Sequence, residues 1–208
     1  MTSSIWQDIS DPIRAEHDDV VIGAGIVGSY AATVLHGRGR DVALVDTRFP
    51  AAGASGRNGG FVLTSQRETF PALIEQIGRS AARDLIDMVR DNVGRMRALV
   101  REYNVPYEEG AVHLAETAPA ARELEEWARS FEADGIPVNF EAGDPNGAGF
   151  AAALQVEDDF MIQPARLTEA IAAASGAILY DHNEVYSIKS EGDHLMVLGR
   201  RVQIRCRR

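Results

Sequence analysis

One stretch constrains the fold more than any other: Asp18-Asp19-Val20-Val21-Ile22-Gly23-Ala24-Gly25-Ile26-Val27-Gly28. A short apolar run closed by a glycine is the pattern of a buried strand. Small and apolar residues then recur at helical spacing from Gly28 to Leu35, until Gly39 breaks the run. Val42-Ala43-Leu44-Val45 follows as a second buried strand and ends at Asp46. Strand, glycine-rich turn, helix and strand make a βαβ unit, which is parallel and right-handed. The chain is therefore expected to be an α/β protein.

The turn itself reads G-x-G-x-x-G, and each glycine has a mechanical job. Gly23 permits the tight turn, Gly25 lets a pyrophosphate approach the backbone, and Gly28 lets the helix pack close to the strand. The helix N-terminus presents free amides and a positive dipole to phosphates. Asp46 lies 18 residues past Gly28, near the ~20 expected of an acid that accepts hydrogen bonds from ribose hydroxyls. The alternative is a strand-turn-helix that holds no ligand. A carboxylate at 46 repels a 2′-phosphate and so disfavours NADP, though Arg48 nearby softens that preference. FAD and NAD share the same ADP half, so the fingerprint leaves both open. A second loop, Gly53 to Phe61, is rich in small residues. Its amides and the Ser55 hydroxyl suit a polar ligand chain, and Arg57 suits a phosphate or an electron-rich ring. A flexible loop of no ligand role fits the same composition.

The remaining sequence limits the function classes. The chain has 208 residues, 21 Lys+Arg and 31 Asp+Glu, for a net charge of −10. That balance disfavours nucleic acid and anionic membrane surfaces. Arg200, Arg201, Arg205, Arg207 and Arg208 form a basic tail, but without interleaved aromatics it reads as a solvent-facing strand. The one cysteine, Cys206, excludes an internal disulfide framework and fits a reducing, cytoplasmic compartment. No apolar run approaches the ~20 residues needed to span a bilayer. The five histidines form no H-x-H or H-x-x-x-H pair, so no metal site is expected, and most of them read as surface or loop residues. The adjacent acids Asp18-Asp19, Glu108-Glu109 and Asp158-Asp159 read as solvated.

Beyond the βαβ unit, residues 1–17 read as a lead-in arm. Leu73, Ile77, Ala81, Leu85, Val89, Val93, Met96 and Val100 form one helical stripe that Gly78 and Gly94 divide. Val105 to Ala115 reads as strands around Glu109-Gly110. A helix capped by Thr117 buries Leu124, Trp127, Ala128 and Phe131 and ends at Gly135. Residues 141–149 read as a loop. Pro164 starts a helix with Leu167, Ala170, Ile171 and Ala174 inward. Ala177 to Tyr180 is a strand, and 185–189, 195–198 and 201–205 form a β-meander.

Taken together, Asp19 to Gly28, Val45-Asp46 and Gly53-Ala54-Ser55-Gly56-Arg57-Asn58-Gly59-Gly60 resemble FAD-dependent amino acid and amine oxidases of the glycine oxidase / D-amino acid oxidase superfamily. The Ala54 to Gly60 string is most like the gamma-glutamylputrescine oxidase branch, as is the aromatic arm Ser4-Ile5-Trp6. Met161 to Leu167 resembles the family's Pro-x-x-Leu helix start, and Glu184-Val185 its adenine-side strand. The resemblance implies a Rossmann-type FAD-binding domain, a βαβ unit plus a β-meander, interrupted by an α+β substrate-domain segment. It implies an arm at 1–14, FAD-binding parts at 15–62 and 160–208, and a partial substrate domain at 63–159. It implies that Gly23, Gly25, Ile26 and Gly28 hold the pyrophosphate, and that Asp46 and Thr47 hold the ribose. Ser55, Gly59, Gly60 and Phe61 would run along the ribityl-diphosphate, with Arg57 and Asn58 beside them and the Val185 backbone at the adenine. The implied cofactor is FAD and the implied partner a small-molecule amine or amino acid. The implied chemistry is oxidation of its C–N bond by hydride transfer to the flavin. The family's sequence continues further, so the chain is expected to be an N-terminal portion with its catalytic residues unassigned. The alternatives are a truncated, non-catalytic dinucleotide-binding module and an NAD-dependent dehydrogenase.

Overall fold

The computed structural model describes residues 12–64, 69–144 and 147–207. In chain order the elements are β1 (Ile13–Glu16), β2 (Asp19–Ile22), α1 (Ile26–Gly37), β3 (Val42–Val45), β4 (Phe61–Val62), α2 (Phe70–Ile77), α3 (Arg79–Glu102), β5 (Tyr107–Glu109) and β6 (Val112–Ala115). They continue with α4 (Ala118–Ala133), β7 (Val138–Ala142), β8 (Ala152–Val156), β9 (Phe160–Ile162), α5 (Pro164–Ala174), β10 (Ile178–Tyr180), β11 (Val185–Glu191), β12 (His194–Gly199) and β13 (Val202–Arg207). The described residues up to Asn58 and those from Pro164 onward make one compact unit, and Gly59–Gln163 makes another.

In the first unit, β10, β3 and β2 form a parallel sheet with β3 at its centre. All four residues of β3 are buried, because alternate side chains leave on opposite faces and both faces are covered. Val42 and Leu44 join Ala24, Ala32 and Ala172 on the face that carries α1 and α5. Ala43 and Val45 join Val197, Val202, Ile204 and Cys206 on the other face, where β11, β12 and β13 form the meander. Each fully buried aliphatic side chain here contributes about 1.5–3 kcal/mol.

Two expectations for this unit need correction. The stretch read as a lead-in arm contains β1, which pairs in parallel with β13 from Ile13↔Val202 to Glu16↔Arg205. Four mostly exposed edge residues carry no periodic signal, and their partner lies at the far end of the sequence. The Ser4-Ile5-Trp6 motif lies outside the described residues. In α5 the inward side chains are Leu167, Thr168, Ile171 and Ala172, and Ala174 is exposed. The Thr168 hydroxyl is satisfied by the Pro164 carbonyl at 2.9 Å, which lets a polar side chain turn inward. His17 is a buried exception among the histidines. One ring nitrogen lies 2.9 Å from the Tyr180 hydroxyl and the other 3.1 Å from the Asp41 carboxylate. The tail arginines pair within the fold, Arg200 with Glu184, Arg205 with Glu16 and Arg207 with Asp18, while Arg208 lies outside the described residues.

The second unit packs α2, α3 and α4 with two three-stranded antiparallel sheets, β4-β9-β5 and β6-β8-β7. Thr69 and Thr117 cap α2 and α4 through their hydroxyls, each with a proline in the first turn. Phe70, Ile86, Trp127, Phe131, Ile136, Leu154 and Val156 form the core. Leu124, Trp127, Ala128 and Phe131 are the buried residues of α4, as its spacing predicts. The helical stripe holds in part: Gly78 divides it as expected, and Leu73, Val93 and Val100 are buried. Gly78, at φ +81°, ends α2 and resets the helical phase, so α3 buries Ala82, Ile86, Val93 and Val100 while Ile77 and Ala81 are exposed. Gly94 does not interrupt α3. The strands on either side of Gly110 enter different sheets. The Asp158-Asp159 pair is not solvated as a pair, because Asp159 is fully buried.

Candidate functional site

The turn after β2 is shaped by backbone atoms. Gly23 has φ +103°, and its amide donates to the Val45 carbonyl at 2.7 Å, tying the ends of β2 and β3 together. A Cβ on Gly28 would stand 1.9 Å from the Gly23 carbonyl oxygen, a main-chain atom with no room to retreat. Only glycine therefore lets α1 begin this close to the strand. Gly25 is the N-cap residue of α1 and offers no side chain to satisfy the first amides. The cap comes instead from Ser55, whose Oγ accepts the Ile26 amide at 3.0 Å. A Cβ on Gly25 would meet that same Oγ at 3.0 Å. The second glycine thus makes room for the Ser55 hydroxyl, a role its spacing does not disclose.

The loop that carries Ser55 is folded rather than flexible. The Ala51 amide donates to the Ala24 carbonyl at 3.1 Å, and a 3-10 turn at Ala54–Gly56 follows. Asn58 Nδ2 donates to the carbonyls of Ala54 and Ser55 at 3.0 and 3.1 Å. Its amide group thus braces the loop. Arg57 is exposed and forms no ion pair among the described residues. Gly59, Gly60 and Phe61 belong to the second unit. There Gly60 is buried and its carbonyl accepts the Ile162 amide at 2.9 Å, while Phe61 opens β4 and is 58% exposed.

Asp46 closes β3 with its carboxylate turned toward the glycine-rich turn. Oδ2 accepts the Ala24 amide at 2.8 Å and Oδ1 the Arg48 amide at 2.8 Å. Each oxygen of a carboxylate has two acceptor sites, so one on each remains for a ribose hydroxyl. Thr47 is exposed beside it. The Asp46 backbone is pinned by the Tyr180 carbonyl at 3.1 Å and the Asn183 amide at 2.9 Å. Asn183 is a residue the sequence reading missed. It is buried, and its Oδ1 accepts the amides of Arg201 and Val202 at 2.8 and 3.0 Å, joining the end of β3 to the β12–β13 turn. Val185, the expected adenine-side residue, is half-buried at the start of β11, two residues on. No local pattern marks Asn183, because its partners lie 18 and 19 residues away.

A dinucleotide diphosphate fits these residues. The first turn of α1 contains no acidic residue to repel an anion, and Val27, on its outside, is 80% exposed. The amides of Gly25, Val27 and Gly28 precede the first intrahelical bond, and the Ser55 hydroxyl accepts from Ile26 while keeping its proton to donate.

The chain is 32% identical over 102 residues to a probable oxidoreductase, OrdL, of Haemophilus influenzae, across 48% of this chain and 24% of that protein. It is 28% identical over 117 residues to the gamma-glutamylputrescine oxidoreductase of Escherichia coli, across 55% of this chain and 28% of the relative. Its fold matches that of glycine oxidase from Bacillus cereus with a TM-score of 0.71 at 23% identity, covering 92% of this chain and 53% of the oxidase. The chain thus spans about half the length of that structure. No helix among its described residues is long and apolar enough to cross a membrane. Residues 18–206 match the family described as DAO, FAD-dependent oxidoreductase, and with that match and this glycine-rich turn the chain belongs to the DAO family.

Proposed function

We propose that this chain supplies the FAD-binding portion of an oxidoreductase acting on a small amine or amino acid, in the cytoplasm. The observation that carries the reading is the joint placement of Gly28 against the Gly23 carbonyl and of the Asp46 carboxylate against the Ala24 amide. Together they bring a helix N-terminus and a carboxylate suited to a ribose to the same turn. Gly23, Gly25, Ile26, Gly28 and Ser55 would hold the diphosphate, Asp46 and Thr47 the ribose, and the Val185 backbone the adenine. Arg57 and Asn58 would flank the chain of the cofactor, and Gly59, Gly60 and Phe61 would continue along it. In this reading residues 15–62 and 160–208 serve the cofactor and 63–159 begin the substrate domain.

FAD, when bound, supplies the two-electron acceptor for a hydride from the carbon attached to nitrogen. This chain's own share is to fix the adenosine-diphosphate half and so set where the reactive ring can lie. The family is FAD-dependent, which favours this reading over an NAD-dependent dehydrogenase. The test is titration of the purified chain with FAD, followed by visible absorbance and by protein fluorescence, with NADH as competitor. Saturable FAD uptake that NADH does not reverse is expected. A folded chain that takes up no FAD overturns the reading. FAD uptake without amine-dependent reduction of the flavin would leave the cofactor assignment standing and favour the non-catalytic module for this chain by itself.

A further inference from the structure

The connection between β8 and β9 holds a carboxylate that dinucleotide binding does not use. Asp159 is 0% exposed. Its Oδ1 accepts the Thr64 amide at 2.6 Å, its carbonyl accepts the Gly110 amide at 2.9 Å, and its own amide donates to Val156 at 3.1 Å. Its Oδ2 has no hydrogen-bond partner among the described residues, and His113 Nε2, equally unpartnered, stands 3.7 Å away. The edge of the Trp127 ring system packs on His113 with centroids 4.8 Å apart. A carboxylate in such surroundings is costly unless it holds something.

What it holds is a short strand. β4 has two residues, paired as Phe61↔Met161 and Val62↔Phe160. So brief a pairing is marginal by itself. Two bonds flank it: the Gly60 carbonyl takes the Ile162 amide at one end, and Asp159 takes the Thr64 amide at the other. The second is charge-assisted and therefore the stronger. Thr64 is fully buried as well, and 95 residues separate it from Asp159.

We propose that Asp159 is a positioning residue which, by clamping the Thr64 amide, fixes segment 60–64 and so presents the exposed Phe61 ring in one orientation. His113 supports the clamp by facing the free oxygen. The consequence for the flavin rests on the proposed role of Gly59 to Phe61 along the cofactor. The clamp itself does not.

The experiment compares the 208-residue chain with Asp159→Asn and Asp159→Ala by residue-resolved amide hydrogen exchange, and by the visible spectrum with FAD added. Asp159→Ala is expected to speed exchange at Val62 and Thr64 by roughly tenfold or more, with Ile86 in α3 unchanged. Asp159→Asn keeps an oxygen for Thr64 and loses the charge, so a rise of roughly threefold, confined to 62–64, is expected. With FAD bound, Asp159→Ala is expected to change the shape of the flavin bands while affinity stays within about threefold. Unchanged exchange at Thr64 in either folded variant overturns the clamp. So does acceleration spread evenly over the unit, which would make Asp159 an ordinary core residue. If Asp159→Ala does not fold, Asp159→Asn decides. Failure of the unmodified chain to take up FAD would overturn the functional reading, and the exchange data would still decide the clamp.

Discussion

The two units are fixed by different kinds of atoms. In the unit with the glycine-rich turn each decisive contact uses a main-chain atom: the Gly23 amide to the Val45 carbonyl, the Ala24 amide to the Asp46 carboxylate, and the Gly23 carbonyl where a Cβ of residue 28 would be. In the helical unit the decisive contacts are volumes of side chain, Phe70, Ile86, Phe131 and Leu154 among them. The same residue type therefore means opposite things in the two places. Gly28 is required by a carbonyl oxygen, whereas Gly94 sits in the middle of α3 with nothing within 4 Å of a would-be Cβ.

That contrast gives the largest expected effect. Gly28→Ala drives a methyl into the backbone of the preceding turn. It is expected to destabilise the chain by about 3 kcal/mol, and to abolish FAD uptake, because α1 must back away from β2. Gly94→Ala removes backbone freedom from the unfolded chain and fits the helix, so a gain of about 0.4–1 kcal/mol is expected. Urea unfolding of both variants measures the difference. Losses of similar size at the two positions would erase the distinction between the units.

Helix capping sharpens it on a smaller scale. Ser55 caps α1 across 29 residues of chain, and Thr117 caps α4 locally at 3.4 Å. Replacing either by alanine is expected to cost about 1 kcal/mol in thermal or urea unfolding. Only Ser55→Ala should also weaken FAD, by roughly tenfold, since in the proposed reading only its hydroxyl meets the diphosphate. Equal FAD affinities in the two variants would place Ser55 with the purely structural caps.

The same division explains what the sequence disclosed. Where a fold depends on which residue types the backbone tolerates, position alone is informative: Gly23, Gly28 and Asp46 stand where a βαβ turn requires them, and β3 spans the residues that its apolar run predicts. Where it depends on packing, a period read from sequence holds only while the helical phase holds. Gly78 resets that phase and moves the buried set to Ala82 and Ile86. Asn183, β1 and Asp159 were not legible, because each is explained by partners remote in sequence. Adjacency read Asp158-Asp159 as solvated, yet neighbouring side chains near a strand diverge. Asp158 meets Arg90 at the surface, and Asp159 turns in.

The smallest expected effects concern ion pairs, beginning at the start of β2, where Arg40 grips Asp19 with two hydrogen bonds of 2.6 and 3.0 Å. The hydrogen bond from Arg40 is the main reason the Asp19 carboxyl is held below its ordinary range, against the opposing pull of burial. The folded chain therefore binds fewer protons at this site than the unfolded chain near pH 4. The stabilisation is whole above that range and is lost as pH falls through the depressed folded value. Arg40→Gln should lower stability at neutral pH, and the gap to the unmodified chain should close on acidification. In α3 the exposed pair of Arg83 and Asp87, one helical turn apart, should matter by only about 0.3–0.5 kcal/mol when Arg83 is replaced by glutamine. A gap for Arg40→Gln that stayed constant from pH 7 to pH 3 would mean that Arg40 acts by covering the strand end with its methylenes and not through the carboxylate charge.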